Sequence, residues 1–176
     1  MADQVELRPV TEDDLPVLDR LRADPVAAGR FAWFGWRDLD AFRRRWAEDR
    51  LLGEERSILM VTAGSEPLGL VSWRKMPVHT AYYWNMGIAL LPEARGRGIG
   101  TEAQRLLVRY LFTHTPVNRV EADTEIENIA EQRALEKAGF TREGVIRGCV
   151  YRAGRWHDGV IYGILRDEVE IEDVPL

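Results

Sequence analysis

A chain of 176 residues, 45% of them hydrophobic, is long enough to bury a core and short enough to read as a single domain over 1–176 with one active site. The formal net charge of -5 supplies no global positive field, which argues against nucleic acid as the partner. The one cysteine, Cys149, excludes an internal disulfide and reads as a core residue of a strand; apolar runs fall short of the roughly 18 to 20 residues of a membrane span; and no basic start followed by an apolar stretch marks a signal peptide, so the expected setting is cytoplasmic.

From the N-terminus, Val5 and Leu7 alternate with polar neighbours as a short strand does. Thr11 with Asp14 three residues on predicts the cap of a helix carrying Leu15, Leu18 and Leu21. Asp38 is the expected cap of a second helix, with Leu39, Phe42 and Trp46 on one face and Arg43, Arg44 and Arg45 as a solvated face. Between the two helices lies an aromatic run, Phe31-Ala32-Trp33-Phe34-Gly35-Trp36. Residues 57–63 and 68–73 predict a hairpin turned at Gly64-Ser65, and 82–91 a third strand ended by Pro92 and a glycine-rich loop. Residues 101–112 predict the most regular helix, with Ala103, Leu106, Leu107, Tyr110 and Leu111 on one face.

A short strand over 120–124 follows, then a helix over 128–138 stopped by Gly139 with apolar Phe140 beyond it. Residues 144–151 and 156–165 predict a terminal hairpin, and the acidic end 168–176 is expected to fray. The order β-α-α-β-β-β-α-β-α-β-β contains one strand-loop-helix-strand unit. It requires a parallel pair with a right-handed crossover inside an otherwise antiparallel sheet, an α/β (α+β) fold flanked by about four helices.

The loop between the third strand and the regular helix runs Arg95-Gly96-Arg97-Gly98-Ile99-Gly100-Thr101. Glycines at alternate positions let the backbone turn tightly and approach a ligand, and the first amides of the following helix lack internal partners, so the segment reads as an anion site with Arg95 and Arg97 adding charge. The competing reading of the loop alone is a flexible turn with a glycine helix start. A Walker A loop fails because no lysine precedes Thr101, and a dinucleotide fingerprint would need glycine at Thr101 and a place nearer the first strand.

Arg95, Gly98 and Gly100 match the pyrophosphate loop of the GNAT superfamily of acyltransferases, which this sequence resembles. The run Arg95 to Ala103, then Arg119-Val120-Glu121-Ala122-Asp123, Asn128, Glu136-Lys137-Ala138-Gly139-Phe140, Glu143-Gly144, Arg147, and Gly154 with Asp158 and Tyr162 look like the RimJ/RimL branch over about residues 5–166. The resemblance implies a fold in which a central parallel strand pair splays into a V that holds acetyl-CoA, with no metal. It implies that Ile88, Ala89 and Leu90 offer backbone groups to the pantetheine arm, that Arg95, Gly96, Arg97, Gly98, Ile99, Gly100 and Thr101 hold the pyrophosphate, and that Asn128 touches the cofactor arm or an active-site water. The implied activity is transfer of an acetyl group to a primary amine, on a small molecule or peptide, by a monomer or homodimer.

Acyl transfer to an amine requires a neutral nucleophile, a donor to the developing oxyanion and a proton for the leaving thiolate. An N–H freed by a bulge near Leu90 is the expected oxyanion donor. The residues that serve as acid or base in many relatives are replaced here by Asn85, Glu131, Leu135 and Val150, and Glu131, three after Asn128, also fits the N3 place of a helix cap. Of the remaining carboxylates and imidazoles, Glu125, Asp123, Asp158 and His79, each also readable as structural, Glu125 is the chosen candidate base, with Asn128 beside it. Cys149 is set aside in favour of direct attack. With the usual bases gone, an α-amine, whose pKa of about 8 leaves its own neutral fraction, is the favoured acceptor over a lysine amine near 10.4. The aromatic run 31–36 reads first as core filling; the alternative is that Trp33, with Tyr82, Tyr83 and Trp84, walls an apolar acceptor pocket. Loss of acid and base alike also fits a catalytically silent acyl-CoA-binding module.

Overall fold

The computed structural model describes residues 4–171. Strands Val5–Pro9 (β1), Arg56–Ala63 (β2), Glu66–Val78 (β3), Ala81–Leu90 (β4), Arg119–Glu125 (β5), Thr141–Arg152 (β6) and Arg155–Leu165 (β7) form one sheet in the order β1-β2-β3-β4-β5-β7-β6. Every adjacent pair is antiparallel except β4 and β5, which run parallel. That parallel pairing covers Trp84, Asn85 and Met86 beside Val120, Glu121 and Ala122; beyond it the two strands no longer pair, and the expected V opens there.

Helices Leu15–Ala23 (α1), Pro25–Ala28 (α2) and Ala41–Asp49 (α3) precede β2, Ile99–His114 (α4) links β4 to β5, and Ile129–Lys137 (α5) links β5 to β6. Strand alternation sorts the apolar residues to two faces. Leu59 and Val61 of β2 join Trp84, Met86, Val120 and Ala122 in the core under α4, while Ile58 and Met60 join Leu15, Leu18 and Leu21 of α1, with Phe42 and Trp46 of α3 packed against them. The Trp46 indole donates to the Val10 carbonyl at 3.1 Å, which satisfies its polar end inside that layer.

Local chemistry accounts for the departures from the sequence reading. The Thr11 and Asp14 box forms, but it closes a 3-10 turn over Glu12–Asp14 ahead of α1. Arg8 grips Asp14 with bonds of 2.6 and 2.8 Å and holds its carboxyl down to about 2. The first helix ends at Ala23 because Asp24 accepts from the Val26 amide and Pro25 opens a new turn, so five helices stand where four were expected. The second begins after Asp40, not Asp38, leaving Leu39 outside it and 47% exposed. The Gly139 stop is as read: Phe140 N–H reaches the Leu135 carbonyl and Gly139 N–H that of Glu136. The terminal turn is tighter than expected, with Ala153 and Gly154 both at positive φ, so β6 and β7 extend to Arg152 and Arg155.

Cys149 is exposed on β6, at the sheet edge, rather than buried. At the acidic end, Arg166–Glu168 forms a turn in which Glu168 accepts from the Leu165 amide at 2.8 Å; positions 172–176 lie outside the described residues. Among the described residues no helix is long and apolar enough to cross a membrane.

Candidate functional site

Gly98 is the N-cap of α4 and, like Gly96, sits at positive φ (79° and 71°), a conformation L side chains rarely adopt. The Gly98 carbonyl accepts the first helical bond, from Glu102, which leaves the amides of Ile99, Gly100 and Thr101 without helical partners at the positive end of a 16-residue helix. In front of them lies a cleft of about 570 Å³ whose walls include Ile88, Ala89, Leu90, Arg95, Gly96, Gly98, Gly100, Thr101 and Asn128. Nine residues singled out by sequence are therefore brought together.

Two others are placed differently. Ile99 is buried in the core under α4, so only its backbone is available, and Arg97 is an exposed residue reaching the Glu93 carbonyl at 3.5 Å. The Arg95 side chain is tied inward, donating to the carbonyls of Leu90, Ala27 and Ala28. It braces the loop against α2 instead of standing free toward a phosphate. Basic residues that sequence reasoning missed, Arg133 and Lys137 of α5, face the cleft with Ala130 and Ala134. Their spacing of three, four and seven is the helical period that would have revealed a shared face.

The bulge expected near Leu90 is absent: β3 and β4 pair without interruption from Gly69 beside Leu90 to Val78 beside Ala81, and the irregularity falls between Val61 and Thr62 on β2. The amides are freed by a different route. The Leu91 N–H bonds the Leu68 carbonyl, so by the alternation of an antiparallel ladder Ile88 and Leu90 turn their N–H groups away from β3, toward the side where β5 has parted. Gly69, at φ 155°, permits this close pairing, because a Cβ there would overlap the Ala89 carbonyl oxygen and stand 2.8 Å from the Leu90 Cα.

Asn128 caps α5, accepting from the Glu131 amide at 3.4 Å and donating to Thr124 Oγ1 at 2.9 Å. Glu131 does not fold back to complete a capping box. Its carboxylate lines the cleft and accepts from Gln104 Nε2 at 2.7 Å, while Gln104, fully buried, has its own Oε1 unpartnered. With burial opposing charge and one neutral donor favouring it, the Glu131 carboxyl is pushed up to about 7. A carboxyl raised from 4.5 stays protonated in the folded protein while the unfolded chain ionises, so its contribution to stability is present below 4.5 and is lost as pH rises to 7. Wild type is expected to lose on the order of 3 kcal/mol relative to Glu131→Gln over that window, measured as the difference between their urea-unfolding free energies at pH 5 and pH 8. Parallel pH profiles for the two proteins are the contrary outcome.

Alternation along β5 sends Val120 and Ala122 into the core under α4 and Glu121, Asp123 and Glu125 to the opposite face. Glu125 is buried there in a fork with Arg152, at 2.6 and 2.7 Å, with His157 Nδ1 3.7 Å away. The Arg152 guanidinium lowers its pKa, so both oxygens are occupied and its basicity is reduced. Asp123 is the freer carboxylate: it is exposed, it accepts from Asn85 Nδ2 at 2.9 Å through Oδ1, and it lines a second pocket with Asn85 and Gly87. The other candidates serve structure or stand apart. Asp158 accepts from the Gly148 amide at 2.8 Å and fixes the irregular part of β6, and His79 is exposed in the β3–β4 turn.

The aromatic wall is not assembled. Tyr82 and Trp84 stack edge to face at 5.2 Å on the α4 side, and Trp84 is buried with its indole donating to Thr115 Oγ1 at 3.0 Å. Tyr83 points to the other face, 3.5 Å from Glu121. Trp33 lines a separate pocket of about 600 Å³ with Phe34, Tyr151 and Arg152, and Phe31 lines the first cleft.

The model of the acetyltransferase (GNAT) domain matches residues 4–141 of the chain. The chain is 34% identical over 124 residues to a probable N-acetyltransferase, YjcK, of Bacillus subtilis, a match covering 70% of this chain and 60% of that protein. It is 23% identical to an uncharacterized prophage-derived N-acetyltransferase, YokL, of the same organism, over 96% and 94% of the two. Among solved structures it superposes on spermidine N-acetyltransferase of Vibrio cholerae in complex with CoA and spermine with a TM-score of 0.78 at 20% identity, over 94% of this chain and 97% of that one. RimJ of Mycobacterium smegmatis in complex with CoA-disulfide gives 0.78 at 22%, over 94% and 83%. With a family model spanning most of its length, the chain belongs to the GNAT acetyltransferase family.

Proposed function

We propose that the protein is an acyl-CoA-dependent N-acetyltransferase that moves an acetyl group from acetyl-CoA to an α-amine, on a peptide, ribosomal protein, aminoacyl compound or amine-bearing antibiotic, by direct attack in a ternary complex. The observation that carries this reading is a single cleft in which the unpartnered amides at the start of α4 meet the parted edge of β4. Coenzyme A suits that cleft: open glycine backbone for the diphosphate, Arg133 and Lys137 for its charge, and a strand edge for the amide-rich arm. Relatives support the chemistry, since the Vibrio enzyme was crystallised with CoA and spermine, and a RimL structure, an L7/L12 α-N-acetyltransferase, with CoA.

When bound, acetyl-CoA supplies an activated acyl group; the protein supplies position and proton traffic. The Leu90 N–H, turned into the V, is placed to donate to the thioester oxygen as charge develops there. Asp123, rather than the paired Glu125, is the carboxylate open to receive the amine proton, directly or through water. Glu131, protonated near neutrality in the same cleft, is the candidate donor to the departing thiolate. Release of free thiol from acetyl-CoA, read with matched α- and ε-amine peptides and beside calorimetric CoA binding, is expected to be faster with the α-amine. Faster ε-amine turnover removes the α-amine assignment, and tight CoA binding with no turnover on any amine replaces enzyme with binding module.

A further inference from the structure

The face of the sheet opposite α4 carries polar residues where α1 and α3 no longer cover it. Across four strands in register lie Arg56 on β2, Arg74 on β3, Asn85 on β4 and Glu121 on β5; the next row holds Ile58, Ser72 and Gly87. A pocket of about 410 Å³ opens on this face, and Arg45 from α3 enters it together with Arg56, Arg74, Ser72, Asn85 and Asp123. Arg56 and Arg74 are direct cross-strand partners, an arrangement of like charges that destabilises a sheet. Arg45 adds a third guanidinium, whose pKa is lowered by burial and by Arg56. Its Nη2 donates to the Arg56 carbonyl at 3.2 Å, and Arg74 Nε donates to Asn85 Oδ1 at 3.2 Å. Among the described residues none of the three is ion-paired with a carboxylate, in a chain that is acidic overall, whereas Arg43 and Arg44 beside Arg45 on α3 pair with Asp19 and Asp38. Three convergent guanidinium groups share this concave site with one carboxylate, Asp123, and the net positive charge fits an anion from outside the chain.

The pocket's position says what carries that anion. Asn85 and Gly87 are on its floor, one to five residues before the Ile88–Leu90 edge, and Asp123 stands on its rim where β4 and β5 part. An amine acceptor reaching the thioester from this face passes Asp123 with its nitrogen and leaves its remaining substituents among the arginines. We propose that Arg45, Arg56 and Arg74, with Ser72 and Asn85, form an anion subsite for the acceptor, so that the amine substrate carries a carboxylate or phosphate a few bonds from its nitrogen. The inference rests on the reading of β4 as the acyl-binding edge, and it narrows the acceptor from amines in general to zwitterionic or phosphorylated ones.

Two measurements on the full chain separate the proposal from the reading beneath it. In the first, thermal shift is recorded with α-amines differing in side-chain charge, namely alaninamide, aspartic acid α-amide and O-phosphoserine α-amide, and with peptides beginning in Asp or Asn. The anionic member of each set is expected to raise the melting temperature where its neutral counterpart does not, with the set distinguishing carboxylate, phosphate and acidic peptide as the source. The shift is expected to vanish in Arg56→Gln/Arg74→Gln. In the second, thiol release from acetyl-CoA is expected to show at least a ten-fold higher kcat/KM for the anionic acceptor, falling to parity in the same variant while CoA affinity is retained. Equal shifts and equal rates for neutral and anionic amines, or discrimination that survives removal of both arginines, overturns the anion subsite. Loss of CoA binding by the wild-type chain sinks the acetyltransferase reading instead, and leaves the thermal-shift result to decide on the subsite.

Discussion

Valine at both Gly98 and Gly100 is expected to weaken coenzyme A binding at least about 100-fold, equivalent to about 2.7 kcal/mol, with the melting temperature lowered only modestly. The two positions act differently. At Gly98 the cost is conformational, because φ is 79° and a β-branched residue forced into the left-handed region loses roughly 1–2 kcal/mol even though space around it is open. At Gly100 the backbone is ordinary, and a Cβ would lie 3.6 and 3.8 Å from the side-chain ends of Leu90 and Ile88, so the added methyls crowd the approach to the amides of α4. Calorimetry with CoA, beside a thermal melt, reads the two effects apart. Unchanged affinity in a folded double variant would remove the loop from the binding site and the acyl-CoA assignment with it.

The second large effect is expected at Asp123. Asp123→Asn preserves size and the bond received from Asn85 but removes the carboxylate proposed to take the amine proton, and kcat is expected to fall by about 100-fold or more at neutral pH, with CoA affinity intact. Without that acceptor the reaction depends on amine already deprotonated in solution, so the residual rate climbs steeply as pH approaches the amine pKa, about 8 for an α-amine. A kcat within three-fold of wild type at pH 7 assigns proton removal elsewhere. Glu125→Gln is the informative companion, because it breaks the fork with Arg152 and is expected to report mainly on stability.

The glycine loop and the helices beside the cleft are legible in the residues because their signals are local. The glycine spacing, the helix periodicity of α4 and the stop at Gly139 each depend on neighbours within a turn, and all three are found where they were read. Misreadings cluster where long-range geometry decides. The run Tyr82-Tyr83-Trp84 suggests one aromatic wall, yet a strand sends successive side chains to opposite faces, so Tyr83 parts from its neighbours. Arg95 looked like a free cation in a phosphate loop; its partners, the carbonyls of Ala27 and Ala28, are nearly seventy residues away in sequence and announce themselves by no motif. The pairing of Glu125 with Arg152 likewise arises from the β5–β7–β6 strand order, which no spacing encodes. Even Leu39, assigned to a helix on periodicity, lost its place because Asp40 rather than Asp38 begins α3.

Because strand parity assigns Leu59, Trp84, Met86, Val120 and Ala122 to one side of the sheet and Arg56, Ser72, Arg74, Asn85 and Asp123 to the other, the sheet works as a partition between two sets of obligations. Residues on the second side can be exchanged without repacking the hydrophobic layer that seats α4 and its amide crown. On the proposed reading, acceptors could be traded by swapping a handful of polar side chains while the layer beneath α4 is kept.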